Sequence, residues 1–320
     1  MPDKHRILCT RRMPPNVEAR LGRDYDANLN PDDRIHSADS LLAASEGRDG
    51  ILCAGGDPLS AEVIERLPDR IRILATYSVG YEHIAVEAAK ARGIVVTNTP
   101  DVLNDATADI AMLCLLGAAR RGAEGDRMVR AGEWVGWHST MMLGVHVTGK
   151  RLGIFGMGRI GRAVARRARG FDMEIHYHNR SRLAPALEDD AIWHDTPESL
   201  LAVSDFLSIN APSTPTTRRF LNADRIAHLP DGAVVVNTAR GDLVDDDALI
   251  TALRSGKVAA AGLDVFAGEP NLDLRYRALE NTFLLPHIGS ASLETRDAMG
   301  YCCLDNLDAF FAGGPCPNAL

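Results

Sequence analysis

The sequence contains no run of about 18 apolar residues, the length that a membrane-spanning helix needs. Its opening segment, MPDKHRILCTRR, includes no apolar stretch as long as that of a secretory signal peptide. Hydrophobic residues make up 46% of the chain and charged residues 24%, which is ordinary for a globular protein. We therefore expect a cytoplasmic protein that has no membrane partner.

Cysteine is scarce and shows none of the spacings that bind metals or build disulfide scaffolds. The chain of 320 residues has six cysteines and no C-x-x-C pair. In a chain of this length they are expected to be reduced thiols, as in the cytosol. The ten histidines form no cluster with the spacing of metal ligands, so no metal is expected.

The sequence also has fewer basic residues than acidic ones. The 35 Lys and Arg residues against 43 Asp and Glu residues give a net charge of −8. Nucleic acids and anionic membrane surfaces attract basic proteins, so neither is expected as the main partner. An anionic small-molecule substrate would need a cation placed locally in its site.

The most informative feature of the sequence is a glycine-rich turn between a strand-like run and a helical segment. Residues 152–155 are apolar and suited to a buried strand, and residues 162–169 carry alanine at helical spacing. A second apolar run, 173–178, follows within about thirty residues, as a βαβ unit requires. The turn has the pattern G-x-G-x-x-G, formed by Gly156, Met157, Gly158, Arg159, Ile160 and Gly161.

Each glycine of this turn has a separate physical role in a dinucleotide site. Gly156 permits a tight turn, Gly158 lets a pyrophosphate approach the backbone, and Gly161 allows close packing of helix and strand. The anion then lies at the helix N-terminus, where unpaired N–H groups and the helix dipole favour negative charge. The pattern therefore predicts dinucleotide binding; the alternative is a tight βα turn that binds nothing.

Strand-like and helical segments alternate along the rest of the chain. Apolar runs at 6–9, 50–53, 71–75 and 94–96 precede the glycine motif, and runs at 205–209, 233–237, 258–263 and 282–285 follow it. Such alternation predicts parallel sheets covered on both faces by helices. We predict an α/β protein of two doubly wound parallel-sheet domains. A Rossmann cofactor domain, 99–287, is inserted into a flavodoxin-like substrate domain made of 1–98 and 288–320, because the helical segment 291–311 has no later strand to accompany.

Three side chains that can do chemistry follow predicted strands of the cofactor domain. Arg240 follows 233–237, Glu269 follows 258–263 and His287 follows 282–285. Taken singly, Arg240 could be a solvated charge, Glu269 could only mark the end of an element, and His287 could be structural. Together at the ligand-binding edge of the sheet they suit hydride transfer to a 2-keto acid. Arg240 can bind a carboxylate bidentately, and His287 can protonate the developing alkoxide while Glu269 orients the imidazole.

Six segments resemble the D-2-hydroxyacid dehydrogenase family, and within it the glyoxylate/hydroxypyruvate reductases most: SVGYEHI, TPDVLNDATADIA, GIFGMGRIG, NTARGDLVD, AAGLDVFAGEP and LPHIGSAS. By this resemblance, Arg240 matches the family's substrate-binding arginine, and Glu269 and His287 match its acid/base pair. Val79 and Gly80 match a loop whose N–H groups hold the substrate carboxylate. Ser290 matches the segment that lines the substrate site. The resemblance also implies cofactor contacts for Thr107, Pro212, Thr238, Asp264 and Gly289.

The residues beyond the glycine motif bear on the choice of nicotinamide cofactor. NAD-binding versions of this fold carry Asp or Glu about 20 residues beyond the glycines, where it accepts hydrogen bonds from the ribose. Here that position is Asn179, and Arg180, Ser181 and Arg182 follow it. No carboxylate repels a 2′-phosphate, and two arginines and a serine can bind one. We therefore predict NADP as the cofactor, with NADPH preferred over NADH; the alternative is that the arginines are solvated loop charges.

The sequence thus predicts NADPH-dependent reduction of glyoxylate and hydroxypyruvate, with His287 as proton donor. A reductase of bulkier 2-keto acids such as phenylpyruvate is the alternative within enzymes, since Tyr77 and Tyr81 flank the substrate loop. A nucleotide-sensing interaction protein without turnover is the alternative outside them. The resemblance and the Trp- and Met-containing loop 131–149 imply a homodimer. Within that loop, Trp137 resembles a tryptophan that such reductases insert from the neighbouring subunit; plain interface packing is the other interpretation.

Overall fold

A computed structural model describes residues 4–320 of the chain; residues 1–3 of the predicted 1–98 segment lie outside it. The chain forms two compact units. The first unit extends to Leu103 and resumes with Ala291–Leu320, and the second is Asn104–Ser290. The chain thus changes units at 103/104 and 290/291, whereas the boundaries expected from the sequence are 98/99 and 287/288.

The described residues form twelve strands and twelve α-helices. The strands are β1 Arg6–Cys9, β2 Asp26–Asn28, β3 Gly50–Cys53, β4 Ile73–Thr76, β5 Val95–Thr97, β6 Arg151–Phe155, β7 Glu174–His178, β8 Ile192–Trp193, β9 Phe206–Ile209, β10 Ala233–Asn237, β11 Val258–Leu263 and β12 Thr282–Leu284. The helices are α1 Pro15–Asp24, α2 Ala38–Ser45, α3 Ala61–Arg66, α4 Val86–Ala91, α5 Asn104–Ala119, α6 Gly122–Ala131, α7 Arg159–Arg169, α8 Pro185–Glu188, α9 Pro197–Leu201, α10 Ala223–His228, α11 Asp246–Ser255 and α12 Leu293–Phe311. Two 3-10 turns cover Gly241–Leu243 and Leu274–Ala278.

The first unit is built on a parallel sheet with strand order β2-β1-β3-β4-β5. This is the flavodoxin-like order, in which ligands bind at the carboxyl ends of the strands. Strands β3 and β4 are buried at every residue, as expected for largely apolar parallel strands that are covered on both faces. Helix α12 packs on β4 and α1, and Gly300 allows that approach because a Cβ there would lie 2.3 Å from a methyl of Val17.

The second unit contains a seven-stranded parallel sheet with order β12-β11-β10-β9-β6-β7-β8. Counted from β6, the order is 3-2-1-4-5-6-7, which is the Rossmann order extended by one strand. Apolar clusters cover both faces: α5 and α7 contribute to one, and α9, α10 and α11 contribute to the other. The predicted fold class of two parallel-sheet α/β domains is confirmed.

Local signals in the sequence set the ends of many helices. Six helices begin after a polar residue whose side chain accepts a hydrogen bond from the N–H group three residues later. This bond satisfies one of the four N–H groups that a helix start leaves unpaired. The six capping residues are Ser37, Ser60, Thr196, Asn222, Asp245 and Ser292. Within residues 4–320, every helix is too short or too polar to cross a membrane.

Candidate active site

The glycine turn connects β6 to α7 in the second unit, and its three glycines meet different surroundings. Gly156 has φ 94°, and a Cβ there would lie 2.6 Å from the backbone nitrogen of Ala211. A Cβ on Gly161 would lie 2.5 Å from the carbonyl oxygen of Gly156. A Cβ on Gly158 would meet no atom of the described chain within 4 Å. Two glycines therefore serve the backbone packing, and the third leaves open space at the N-terminus of α7.

Asn179, which was predicted as a cofactor contact, also braces the glycine turn. The N–H of Met157 donates to Asn179 Oδ1 at 2.6 Å. Met157 is 1% exposed, so its side chain anchors the turn in the apolar core. Arg159 and Ile160 form the first turn of α7, where Arg159 is exposed and Ile160 is half-buried. The short side chain of Asn179 thus fixes the shape of the turn.

The two arginines predicted to bind a 2′-phosphate differ in their surroundings. Arg182 forms a bidentate ion pair with Glu188, with Nε–Oε1 at 2.7 Å and Nη2–Oε2 at 3.0 Å. Arg180 is exposed and has no ion-pair partner among residues 4–320. Ser181, between them, is exposed. Arg182 is therefore already engaged by a carboxylate that sequence reasoning did not consider, whereas Arg180 is available.

Buried polar atoms near the glycine turn fit a bound dinucleotide. Thr238 Oγ1 and Asn210 Oδ1 are buried, and neither has a hydrogen-bond partner within residues 4–320. They follow β10 and β9, at the carboxyl edge of the sheet where this fold binds nucleotides. A buried polar atom without a partner is costly unless a ligand or water satisfies it. Pro212 lies two residues beyond Asn210, and its carbonyl oxygen accepts a 2.7 Å bond from Thr217 Oγ1.

Asp264, predicted as a contact near the nicotinamide, is buried and holds the loop that carries His287. Its two carboxylate oxygens accept 2.8 Å hydrogen bonds from the N–H groups of Ile288 and Gly289. Its carbonyl oxygen accepts a 2.9 Å bond from the N–H of His287. Burial raises the pKa of Asp264. A Cβ on Gly289 would lie 3.2 Å from that carboxylate and 3.5 Å from the methyl of Thr107, so these three residues are packed together.

His287 and Glu269 form a hydrogen-bonded pair. The imidazole Nδ1 lies 2.7 Å from Glu269 Oε2, and Glu269 Oε1 accepts a 2.6 Å bond from the N–H of Phe266. Burial acts to raise the pKa of Glu269, but the bonds from His287 and Phe266 outweigh it, so the net pKa is lowered. A lowered carboxyl pKa means that the contribution of the ionised carboxylate to stability is complete above the ordinary pKa and is lost as the pH falls through the folded value. Glu269 is therefore ionised at neutral pH.

The second ring nitrogen of His287 lies on the open side of this pair. The side chain is 53% exposed, and Nε2 makes no hydrogen bond within residues 4–320. Because Nδ1 faces an ionised carboxylate, it carries a proton, and Nε2 is left to give or take the second one. The backbone of His287 has φ 54°, the left-handed region, and the bonds to Asp264 hold it there. This geometry leaves Nε2 as a proton donor or acceptor at the strand ends.

Arg240 lies at the same edge, because β10, β11 and β12 are neighbours in the sheet and all are parallel. Asn237 braces its loop by donating to the Arg240 carbonyl at 2.8 Å. The next residue, Gly241, approaches the other loop closely, since a Cβ there would lie 1.9 Å from the carbonyl carbon of Phe266. The Arg240 charge also helps to lower the pKa of Glu269. The structure thus brings Arg240, Glu269 and His287 together.

In the first unit, Val79 and Gly80 follow β4 and expose two N–H groups. The carbonyl oxygens of both residues accept hydrogen bonds from side chains. Asn98 Nδ2 donates to the Val79 oxygen at 2.9 Å, and Ser78 Oγ donates to the Gly80 oxygen at 2.6 Å. Neither the Val79 N–H nor the Gly80 N–H has an acceptor in the described part of the chain. Two adjacent unpaired N–H groups form a suitable site for a carboxylate. Asn98 was not identified from the sequence.

The remaining predicted residues of the substrate site are Ser290 and Trp137. Ser290 is half-buried at the end of the second unit, directly after Gly289. Trp137 is 80% exposed, in a loop without helix or strand that follows α6. Trp134 and Val135 in that loop are 57% and 90% exposed. Within this unit the loop therefore presents several large apolar side chains to solvent.

The chain is similar to known proteins over nearly its whole length. Residues 112–289 match the model described as D-isomer specific 2-hydroxyacid dehydrogenase, NAD binding domain. Glycerate dehydrogenase of Hyphomicrobium methylovorum is 46% identical, and the match covers 99% of both proteins. Glyoxylate reductase of Thermococcus litoralis is 42% identical over 99% of this chain and 97% of that protein.

A solved structure agrees with these sequence matches. It is the NADPH-dependent glyoxylate/hydroxypyruvate reductase of Sinorhizobium meliloti in complex with NADP and malonate, with a TM-score of 0.89, 35% identity, and 99% of this chain and 97% of that chain covered. Together these relatives support an oxidoreductase that uses a nicotinamide cofactor and disfavour a non-catalytic nucleotide sensor. The chain belongs to the D-isomer specific 2-hydroxyacid dehydrogenase family.

Proposed function

We propose that this chain reduces glyoxylate and hydroxypyruvate to glycolate and D-glycerate, with NADPH as the preferred cofactor. The observation that carries the proposal is the 2.7 Å contact between His287 Nδ1 and Glu269 Oε2. Nε2 makes no hydrogen bond within residues 4–320, and Arg240 and the glycine turn lie at the same edge of the sheet. The names of the relatives, glycerate dehydrogenase and glyoxylate reductase, support small 2-hydroxy and 2-keto acids as substrates.

In this proposal, each residue of the site has one task. When bound, the reduced nicotinamide supplies the hydride that adds to the keto carbon. Arg240 binds the substrate carboxylate, because a guanidinium is a strong donor to that anion. The adjacent N–H groups of Val79 and Gly80 are likewise proposed as donors to a carboxylate. His287 donates the proton from Nε2 to the oxygen that becomes the hydroxyl.

Glu269 supports the proton transfer without touching the substrate. Its carboxylate accepts a hydrogen bond from the Nδ1–H group and so fixes the orientation of the ring. The N–H of Phe266 holds the other carboxylate oxygen, so the carboxyl group cannot rotate freely. This arrangement supplies a positioned general acid, which typically contributes roughly 10²–10⁴-fold to a rate.

Steady-state assays of the purified protein test this function. With glyoxylate or hydroxypyruvate, kcat/KM is expected to be at least about ten-fold higher with NADPH than with NADH, which corresponds to about 1.4 kcal/mol. Equal or better use of NADH would contradict the cofactor assignment. A higher kcat/KM for phenylpyruvate than for either small keto acid would contradict the substrate assignment and favour the bulkier class.

Arg180→Ala tests where the 2′-phosphate binds. Removing a charge-assisted contact worth about 1.5–3 kcal/mol is expected to weaken NADPH binding roughly ten-fold or more, while NADH binding changes little. Isothermal titration of both cofactors measures the difference. Arg254→Ala, at the exposed end of α11, removes the same charge elsewhere in the unit and should change neither affinity. Equal weakening of both cofactors by Arg180→Ala would argue for a general loss of binding.

The protein is further proposed to be a cytoplasmic homodimer. The loop after α6 presents Trp134, Val135 and Trp137 with 57%, 90% and 80% exposure, and monomeric proteins rarely leave such neighbouring apolar side chains in water. Sedimentation analysis is expected to give about twice the mass of one chain, since buried aromatic side chains dominate interface energies. Trp137→Asp should shift the equilibrium toward monomer, and an unchanged dimer in that variant would exclude this loop as the interface.

A further inference from the structure

Glu188 belongs to a small polar cluster that contacts the loop 179–182 through Arg182. Glu188 is 7% exposed, and its carboxylate binds Arg182 through two hydrogen bonds, at 2.7 and 3.0 Å. Tyr177 in β7 donates its hydroxyl hydrogen to Glu188 Oε1 at 2.5 Å. The Tyr177 oxygen accepts a 3.0 Å bond from the N–H of Leu183. The strand, the loop after it and α8 are thus joined through one carboxylate.

This cluster fixes both the position and the charge of Arg182. Two of its donor groups, Nε and Nη2, are used by Glu188, and its guanidinium carbon lies 5.8 Å from the centre of the Trp193 ring. The Arg182 guanidinium and the Tyr177 hydroxyl lower the pKa of Glu188 to about 2. Glu188 is therefore ionised at every pH at which the protein would be assayed, and the Arg182–Glu188 pair carries no net charge.

Arg180 and Arg182 consequently differ in what they can offer a phosphate dianion. Arg180 has no ion-pair partner among residues 4–320, whereas Arg182 is opposed by a full negative charge within hydrogen-bond distance. An approaching 2′-phosphate would meet the Glu188 carboxylate together with the Arg182 guanidinium, and the two contributions oppose each other.

We propose that Glu188 sets the cofactor selectivity of this chain, by neutralising Arg182 and so limiting the preference for NADPH over NADH. The proposal rests on the proposed binding of the 2′-phosphate at residues 179–182. Glu188 acts through Arg182 and contacts neither cofactor nor substrate. Its removal strengthens binding of the phosphorylated cofactor and leaves binding of the other unchanged, because only NADPH carries the 2′-phosphate.

Glu188→Gln tests the proposal, since it removes the charge and keeps the shape and an oxygen for Tyr177. Dissociation constants for NADPH and NADH are measured by isothermal titration without substrate, so that the readout is independent of turnover. The ratio of NADH to NADPH dissociation constants is expected to rise about three- to ten-fold, through tighter NADPH binding. An unchanged or smaller ratio would overturn the proposal, because Glu188 would then be irrelevant or would hold Arg182 ready for the phosphate.

Two further variants show whether the effect passes through Arg182. Arg182→Ala/Glu188→Gln, which removes both charges of the pair, should return the ratio to within about two-fold of the wild-type value, because the gain from Glu188→Gln depends on the arginine that it leaves unpaired. Asp205→Asn is the matched control: it breaks the bidentate Arg151–Asp205 pair at the amino ends of β6 and β9, and the ratio should stay at the wild-type value. A rise in that control would attribute the effect to net charge alone and overturn the proposal.

Arg182→Ala/Glu188→Ala, which removes both members of the pair, keeps the proposal testable if Glu188→Gln fails to fold. The pair carries no net charge, so its removal should change NADPH affinity less than about two-fold, well below the loss expected for Arg180→Ala. A loss equal to that of Arg180→Ala would overturn the proposal. Failure of the proposed function is distinguishable: a wild-type preference for NADH contradicts that function, whereas the shift in the ratio on removing Glu188 is measured from either starting value.

Discussion

Replacement of His287 by alanine is expected to lower kcat for glyoxylate by roughly 10²–10⁴-fold, the usual contribution of a positioned general acid. The affinity for NADPH should stay within about two-fold of wild type, because none of the contacts of His287 involves the glycine turn or the loop 179–182. The side chain is half-exposed, so its truncation removes little packing. Stopped-flow or steady-state assays with cofactor titration separate the two effects.

Two further variants test whether a loss of activity in His287→Ala results from misfolding instead of the loss of the proton donor. His287→Asn keeps a residue type that tolerates the φ of 54° found at this position, and it should lose activity like the alanine variant. His228→Ala removes an exposed histidine at the end of α10 and should keep wild-type kcat. Near-normal turnover in both His287 variants would remove this residue from the catalytic assignment and leave Glu269 without a function in the reaction.

The sequence was sufficient for the fold class because the strands are buried and apolar. Runs such as 50–53 and 233–237 became β3 and β10 with the same bounds, since a parallel strand covered on both faces has to be apolar throughout. The elements that were not predicted are short or polar. Strand β2 has the sequence DAN at the sheet edge, β8 has two residues, and α1 buries only Val17 and Leu21.

Sequence reasoning could place candidate site residues at strand ends, but it could not choose their partners. Arg240, Glu269 and His287 follow three adjacent parallel strands, so their common edge follows from topology. Their catalytic roles stay predictions. The pairing of Arg182 with Glu188 depends instead on how the loop after β7 folds back over α8. No periodicity encodes such a contact between an irregular loop and the last residue of a one-turn helix.

Hydrogen bonds between residues far apart in the sequence could not be predicted either. The Asp264 carboxylate accepts hydrogen bonds from the N–H groups that lie 24 and 25 positions later in the sequence. The Asn98 amide donates to the carbonyl of Val79, which lies 19 positions earlier. Each partner is an ordinary backbone group that every residue type carries. The sequence therefore shows a carboxylate or an amide, and only the folded chain shows which loop it braces.

The second large expected effect concerns the glycine turn. Adding a methyl group to Gly158 should impair cofactor binding, whereas adding one to Gly156 should lower the stability of the fold. Gly158→Ala is expected to leave the melting temperature of the cofactor-free protein within about 2 °C of wild type, because its φ of −79° suits alanine and its Cβ meets no atom of the described chain within 4 Å. NADPH affinity should fall about 100-fold or more, as the new methyl occupies the space open to the pyrophosphate and disturbs two or more charge-assisted bonds to the helix N-terminus.

Gly156→Ala is expected to act on the fold. At φ 94° a side chain is strained, and its Cβ would lie 2.6 Å from the Ala211 nitrogen, so β6 and the segment after β9 must separate. Backbone strain and overpacking together should cost about 2–4 kcal/mol, which lowers the melting temperature by roughly 5–15 °C for a unit of this size. Differential scanning calorimetry and NADPH titration of both variants separate these roles. If Gly158→Ala bound NADPH normally, the open space beside the helix N-terminus would not be the pyrophosphate site, and an unshifted melting temperature in Gly156→Ala would show that the turn can relax around a side chain.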